Sequence, residues 1–339
     1  MTRRVAGFGL AALLAGVAIL AISLFGPAQT APQRSAFVID TGPTGGTYFP
    51  IGEAIAGIVS HPPGLVRCET PGVCGPSGLI ASARTSAGTI ANIQDVDAHY
   101  ADAALAQSDV VADAIAGKSP FRAKQTHIRA IASLFPEDVH VVARAGAHIR
   151  SIAGLRHARV SIGTEDSGTI VTARAVLAAY RVSERQIRIA HDPVEAAAAE
   201  LAQGKLDAFF FTGGAPVPLV RDLIANGKAV LLPIAGAERK RLLATHPSLA
   251  ADSIAAGVYP GQGAVDTVAV RAVLIVNADV PDDVVYGVTR ALFHPANRDA
   301  LNTSHPRAKL IRLDTALDGL PAPLHPGAVR FYRDARKPG

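Results

Sequence analysis

The sequence predicts an α/β protein of two lobes, each built on a mostly parallel sheet. After about residue 36, short apolar runs alternate with Ala-rich stretches of helical spacing, the order that βαβ units produce. The 339 residues exceed one ordinary α/β core. Hydrophobic residues make up 49% of the chain but aromatics only 5%, with no Trp and one Met. The apolar content is therefore small and branched, suited to helix-on-sheet packing, and far too high for a disordered chain.

The first strand is expected over 37–40, with a helix over 51–59 behind a Gly-rich loop. A strand over 103–107 leads to a helix over 110–116, and strands follow over 128–134 and 139–143. The strand 158–162 feeds a helix over 168–180, and the helix 193–203 precedes a strand over 207–211. Strands over 229–232 and 268–276 and a helix over 282–292 complete the alternation. The runs 133–138 and 259–263, each with a proline, interrupt it and read as paired crossovers. They divide the chain into lobe I, 37–138 with 258–339, and lobe II, 139–257, with a cleft between them. The segment 321–327, with Pro321, Pro323 and Pro326, should wrap the surface, since it can continue neither a helix nor a central strand.

Arg3 and Arg4 precede an uncharged apolar stretch over 5–25, so residues 1–31 read as an export signal, either cleaved or retained as an anchor. The rest of the chain is then extracytoplasmic, in the periplasm. The net charge of +5 is spread over 33 Lys and Arg among 28 Asp and Glu without a basic block, which excludes a typical nucleic-acid partner. The two cysteines, Cys68 and Cys74, flank a Pro71-Gly72 turn signal, and in an oxidising compartment they predict a small disulfide loop. Two free buried thiols are the alternative.

Four loops lead from a strand toward a helix start, where backbone N–H groups attract anions. They are 41–50, rich in Gly, 85–92, 163–169 and 211–216, the last with Pro216 at a first-turn position. Thr89 is alternatively a plain N-cap. No Lys-Ser/Thr pair follows the first loop, so it is not a P-loop, and no nucleophile elbow, His-Glu-x-x-His or dinucleotide fingerprint occurs. Histidines such as His61, His294, His305 and His325 precede prolines in loops and read as turn residues. Ligand-poised loops without a catalytic constellation point to binding rather than turnover, with no cofactor and no metal.

Seven short motifs in order carry a resemblance. They are Thr-Gly-x-x-Gly-Gly-x-Tyr-x-Pro over 41–50, Ala-Gly-Thr-x-x-Asn over 87–92, Gln-Ser-Asp over 107–109, Ser-Gly-Thr over 167–169, Leu-Asp-Ala-Phe-Phe with Gly-Ala-Pro over 206–216, Tyr-Pro-Gly-Gln over 259–262 and Leu-His-Pro-Gly-Ala over 324–328. Together they resemble the TAXI-type solute receptors of TRAP transporters. The resemblance implies a bilobed type II periplasmic-binding-protein fold, two lobes joined by two hinge crossovers. It implies a monomeric receptor that closes on a small carboxylate-bearing solute, an organic acid or an amino acid such as glutamate, and delivers it to an ion-driven membrane permease. The ligand-binding positions it implies are Gly46, Thr47 and Tyr48, Thr89 and Asn92, Gln107, then Ser167, Gly168 and Thr169, with Gly214 opposite.

Glu165 and Asp166 depart from the family pattern and place acids beside the expected anion site, where Asp166 would pair a ligand ammonium and repel a dianion. The segment 68–79 looks like extra length between the second strand and its loop. The substrate-binding component of an ATP-driven importer and a ligand-sensing domain are the alternatives on the same fold.

Overall fold

The computed structural model describes residues 34–336, so the expected export signal or anchor lies outside the described residues. Among the described residues no helix is long and apolar enough to cross a membrane. Strand β1 (Ser35–Asp40) leads to helix α1 (Tyr48–Val59), and β2 (Leu79–Arg84), α2 (Thr89–Asp97), β3 (Ala103–Gln107) and α3 (Ser108–Ala116) continue the alternation. The long β4 (Ile128–Arg144) is followed by β5 (Arg159–Ser161), α4 (Gly168–Ala179), β6 (Arg188–Ala190), α5 (Val194–Ala202), β7 (Ala208–Gly213), α6 (Pro218–Ala225), β8 (Ala229–Leu231), α7 (Gly236–Thr245) and β9 (Ala250–Ile254). A second long strand, β10 (Val265–Asn277), precedes α8 (Asp282–Phe293), α9 (Arg298–Ser304) and α10 (Pro326–Ala335).

These ten strands form one sheet, eight of them along the hydrogen-bonded path β2-β1-β3-β10-β4-β7-β5-β6, with β8 on β4 and β9 on β10 off that path. Each end is a parallel triad, with β1 between β2 and β3 and β5 between β6 and β7. The middle is the antiparallel pair β4 and β10, which continues from Ile128 opposite Asn277 to Asp138 opposite Ala269. From Asp138 onward the other edge of β4 takes up β7. Two strands thus tie the triads together.

The packing follows the periodicities. Helix α1 buries Tyr48, Ile51, Ile55, Ile58 and Val59 at three- to four-residue spacing, and these pack with Phe37, Val288 and Phe331 in one core. Val194, Leu201, Phe209 and Val220 form a second core around β7, and a third joins Ile93, Val110, Val141 and Val176.

Several expectations change. The run 133–138 is no interruption: it lies inside β4, with Pro136 paired to Arg271. At Pro136 the strand has β10 as its strand neighbour and β7 joins only from Asp138, so a residue without an N–H is tolerated. The run 259–263 is irregular, as expected, and precedes β10. The segment 321–327 does not wrap the surface. Ala130 N–H donates to Pro323 O (2.8 Å), His325 N–H donates to Ala130 O (3.0 Å), and His325 is fully buried. Pro326 then opens α10, because a first-turn residue has no intrahelical N–H bond to lose. For the same reason Pro50 sits in the first turn of α1, which begins at Tyr48 rather than at Ile51. Pro216 lies outside α6, where Pro218 takes the first-turn place.

Sequence reasoning misses β2, β6 and β9, which are short and partly exposed and carry no apolar run. The segment 68–79 lies between α1 and β2, before the second strand rather than after it. Cys68 and Cys74 are joined in a disulfide with a Cα–Cα distance of 5.3 Å, and the turn between them has Gly72 at φ +90°, a conformation that favours glycine. Asn297 Nδ2 donates to Val73 O (2.7 Å) and fastens this loop to the start of α9.

Candidate functional site

A cavity of about 390 Å³ lies beyond the carboxyl ends of the six parallel strands. Gly42 to Thr44 and Gly46 to Tyr48 follow β1, Thr85 to Thr89 follow β2, and Gln107 ends β3. From the other triad come Gly163, Thr164 and Ser167 to Thr169 after β5, Asp192 to Glu195 with Ala197 after β6, and Phe210 to Thr212 within β7. Glu137 of β4 lies between the two groups in sheet order.

The first loop enters α1 through Thr47, whose Oγ1 accepts from Gly214 N–H (3.0 Å). Tyr48 OH donates to Glu137 Oε2 at 2.6 Å, and both groups are buried. Burial raises the Glu137 carboxyl well above its ordinary range, partly offset by the Tyr48 hydrogen bond. Burial and then the charge of Glu137 raise the Tyr48 phenol, which stays protonated. In the second loop Gly88 has φ +122°, and a Cβ there would come 3.3 Å from Ser167 Cα, so the loops of the two triads touch. Thr89 is the first helical residue rather than the cap, and its Oγ1 accepts from Gln107 N–H (3.3 Å).

Ser167 caps α4, its Oγ accepting from Ile170 N–H (3.3 Å) and donating to Thr164 O (2.7 Å). A Cβ on Gly168 would lie 1.9 Å from Gln107 Oε1, so only glycine lets that amide sit over the start of α4. Thr169 Oγ1 accepts from Thr212 N–H (3.2 Å). The cavity wall therefore gathers Gly46, Thr47, Tyr48, Thr89, Gln107, Ser167, Gly168 and Thr169.

Asn92 and Gly214 stand behind this wall. Asn92 is fully buried and its Nδ2 donates to Thr41 O and Leu105 O (both 2.7 Å), clamping the ends of β1 and β3. Gly214 packs against the stem of Arg307. Asp166 is exposed and does not line the cavity; its backbone carbonyl accepts from Ile90 N–H (3.0 Å) and Ala91 N–H (3.1 Å), bridging to α2. The acids on the wall are Glu137, Asp192 and Glu195. Sequence reasoning misses them because Glu137 sits in the supposed crossover and the other two follow β6, a three-residue strand with no apolar signal. The Asp-Pro pair at 192–193, ahead of a helix, was the available sign.

The family model of the NMT1-like family matches residues 39–335. The chain belongs to the NMT1-like family. Among solved structures, MatC from Rhodopseudomonas palustris with bound malate is similar to this NMT1-like chain at 15% identity and a TM-score of 0.51, over 88% of this chain and 97% of that one. A structure described as a periplasmic transporter is similar at 14% identity and a TM-score of 0.51, over 89% and 95%. The alkanesulfonate-binding protein SsuA from Xanthomonas axonopodis pv. citri, bound to MOPS, is similar at 15% identity and a TM-score of 0.49, over 91% and 86%. The NMT1-like chain has the α/β bilobed type II periplasmic-binding-protein fold.

Proposed function

We propose that this NMT1-like protein is an extracytoplasmic solute-binding receptor that captures a small carboxylate-bearing solute and hands it to a membrane permease. The observation that carries this reading is the cavity itself, walled by loops from the carboxyl ends of both parallel triads. The lobes are 37–138 with 258–339, and 139–257. The start of α4, with Ser167, Gly168 and Thr169, supplies the carboxylate site through hydroxyls and helix-start N–H groups.

Contacts across the cavity support capture by closure. Gly45 N–H donates to Glu195 Oε1 (2.8 Å) and Thr164 Oγ1 donates to Ala87 O (3.3 Å), so a solute touching both walls adds to bonds that exist only when the lobes meet. The seven motifs favour an ion-driven TRAP permease as partner; an ATP-driven importer is the alternative on this fold. Reconstitution of uptake with each transporter type separates the two.

The test of the receptor reading is a thermal-shift screen of the purified protein against organic acids and amino acids, since a ligand that binds only the folded state raises Tm by mass action. A Tm that no carboxylate or amino acid moves at millimolar concentration overturns it.

A further inference from the structure

Opposite the cavity, the amino ends of β5, β6 and β7 form a second surface, and we propose that it docks on the anionic headgroups of a lipid bilayer. This goes beyond the receptor reading and does not depend on which solute the cavity takes.

β4 ends at this edge with Arg144 while β7 and β8 begin there, because both run antiparallel to β4, and β5 and β6 begin there because they run parallel to β7. Hydrogen bonds draw the intervening loops onto the same edge. Ala145 N–H donates to Lys228 O (2.9 Å), Asp207 N–H to Arg159 O (2.9 Å) and Arg188 N–H to Ala158 O (2.8 Å). His157 N–H donates to Gln186 O (2.6 Å), and the Arg156 guanidinium donates to Arg181 O (2.9 Å). Four segments far apart in sequence, 144–159, 181–188, 204–207 and 226–229, are thereby gathered in one place.

Their charges have one sign. The four segments hold nine Lys and Arg against Glu184 and Asp207, an excess of seven, where the whole chain has a net charge of +5. The remainder of the chain is slightly acidic, so the molecule is electrically lopsided and turns this edge toward anions. Both acids are already taken, Asp207 by Arg144 and Arg159 (each 2.9 Å) and Glu184 by Arg174 (2.7 Å). Arg150, Arg181, Arg185, Arg188, Lys205 and Lys228 are exposed and have no ion-pair partner among the described residues. His148 (φ +55°), His157 (φ +68°) and Arg181 (φ +55°) hold left-handed backbone that glycine would adopt at less cost. Basic side chains are kept here against the local preference.

The make-up of the edge selects lipid. A protein partner's interface has an apolar centre, yet none of the large hydrophobic side chains exposed among the described residues belongs to these segments. Separate cations on flexible stems match a plane of lipid phosphates, where each adds its own attraction. Nucleic acid is the other polyanion such an edge could meet, and the extracytoplasmic reading ranks it second.

The experiment is sedimentation of the purified full chain with phosphatidylcholine vesicles, with and without phosphatidylglycerol. The ratio of the two partition coefficients cancels whatever the N-terminal apolar stretch contributes to both. At low salt the ratio should be about a hundredfold or more, and it should collapse in about 1 M salt, where the screening length is about 3 Å. Arg185→Gln, Lys205→Gln and Lys228→Gln in one variant should lower it by about tenfold or more, at about fivefold per charge near a membrane surface. Lys118→Gln, Arg122→Gln and Lys124→Gln, between α3 and the opposite end of β4, remove the same charge and should leave the ratio within about threefold of wild type. The Tm of each variant reports its folding, and Arg150→Gln with Arg188→Gln serves if the first variant does not fold. Equal partition onto the two vesicle types, an equal loss in the control variant, or displacement from the anionic vesicles by a DNA duplex at equal phosphate concentration overturns the lipid assignment. A solute that still raises Tm in the thermal-shift screen then leaves the receptor reading standing.

Discussion

Replacing Arg307 with Met should destabilise the protein sharply, with a pH dependence that identifies the cause. Arg307 lies in the short helical turn Pro306–Leu310, beyond α9, yet its guanidinium reaches the middle of the sheet. Its Nη2 bonds Asp138 Oδ2 and its Nε donates to Ala215 O (2.9 Å). The Asp138 side chain is fully buried, Arg307 is 18% exposed, and Ala215 N–H also donates to Asp138 Oδ2 (3.2 Å). Removing one partner of such a pair leaves a buried charge uncompensated unless Asp138 takes up a proton, which caps the cost at about 1.4 kcal/mol per pH unit above 6, or about 3 kcal/mol at pH 8. Some 300 described residues unfold with an entropy near 0.63 kcal/mol/K, at about 2.1 cal/mol/K each, so Tm at pH 8 should fall by about 4 °C.

Burial pushes the Asp138 carboxyl up to about 6, with Arg307 pulling it down. A raised carboxyl favours the neutral form in the folded state, so charging Asp138 works against stability as pH rises toward and through 6. Without Arg307 that penalty deepens. The Met variant should therefore lie close to wild type at pH 5, where Asp138 is mostly neutral in both, and fall well below it at pH 8. Calorimetric melts at pH 5, 6, 7 and 8 check this, and Asp138→Asn with Arg307→Met should recover most of the loss at pH 8. A deficit independent of pH, or a double variant no better than the single one, would refute the charge explanation.

Gly168→Ala should abolish ligand-induced compaction in small-angle scattering, because the new Cβ needs the space of Gln107 Oε1, 1.9 Å away. Ser167→Ala should lower stability by about 1 kcal/mol in denaturant unfolding through loss of the α4 cap, and weaken binding of a carboxylate ligand by about 1–3 kcal/mol in titration. Breaking the Cys68–Cys74 bond, which closes a loop of sequence separation 6, should cost about 2 kcal/mol. Melting with and without reductant measures this, and two alkylated thiols in protein kept oxidised and never reduced would remove the bond from the account. Asp207, held well below its usual carboxyl range chiefly by hydrogen bonds from Arg159, adds stability that is present above about pH 4 and lost as pH falls further. Asp207→Asn should then narrow the gap to wild type in urea melts taken below pH 4; a constant gap would contradict this.

Much of the α/β order was legible in the sequence, because buried parallel strands read as apolar runs and their helices as a 3.6-residue stripe. Phe37, Leu105, Val110, Val176 and Phe209 lie in the cores for that reason. The loops that line the cavity were legible too, since glycine and hydroxyl residues at a strand-to-helix junction have few uses apart from turns and helix starts; Gly88 and Ser167 show both. The disulfide followed from two cysteines around a Pro-Gly turn.

What the tertiary structure decided is where chemistry from distant parts of the chain meets. Pro136 looked like an interruption until β10 held it inside β4, and that pairing spans 135 residues in sequence, Pro136 to Arg271. Asp192 and Glu195 carried little signal beyond the Asp-Pro pair at 192–193, because β6 is a three-residue strand placed by its pairing with β5, not by its own composition. Asn92 matched a motif, yet its position beneath the wall depends on the carbonyls of Thr41 and Leu105. Periodicity records which face of an element is buried, a local property of each segment. Which side chains share a cavity depends on the register of strands far apart in the chain, set jointly by hydrogen bonding and packing, and no local pattern encodes it.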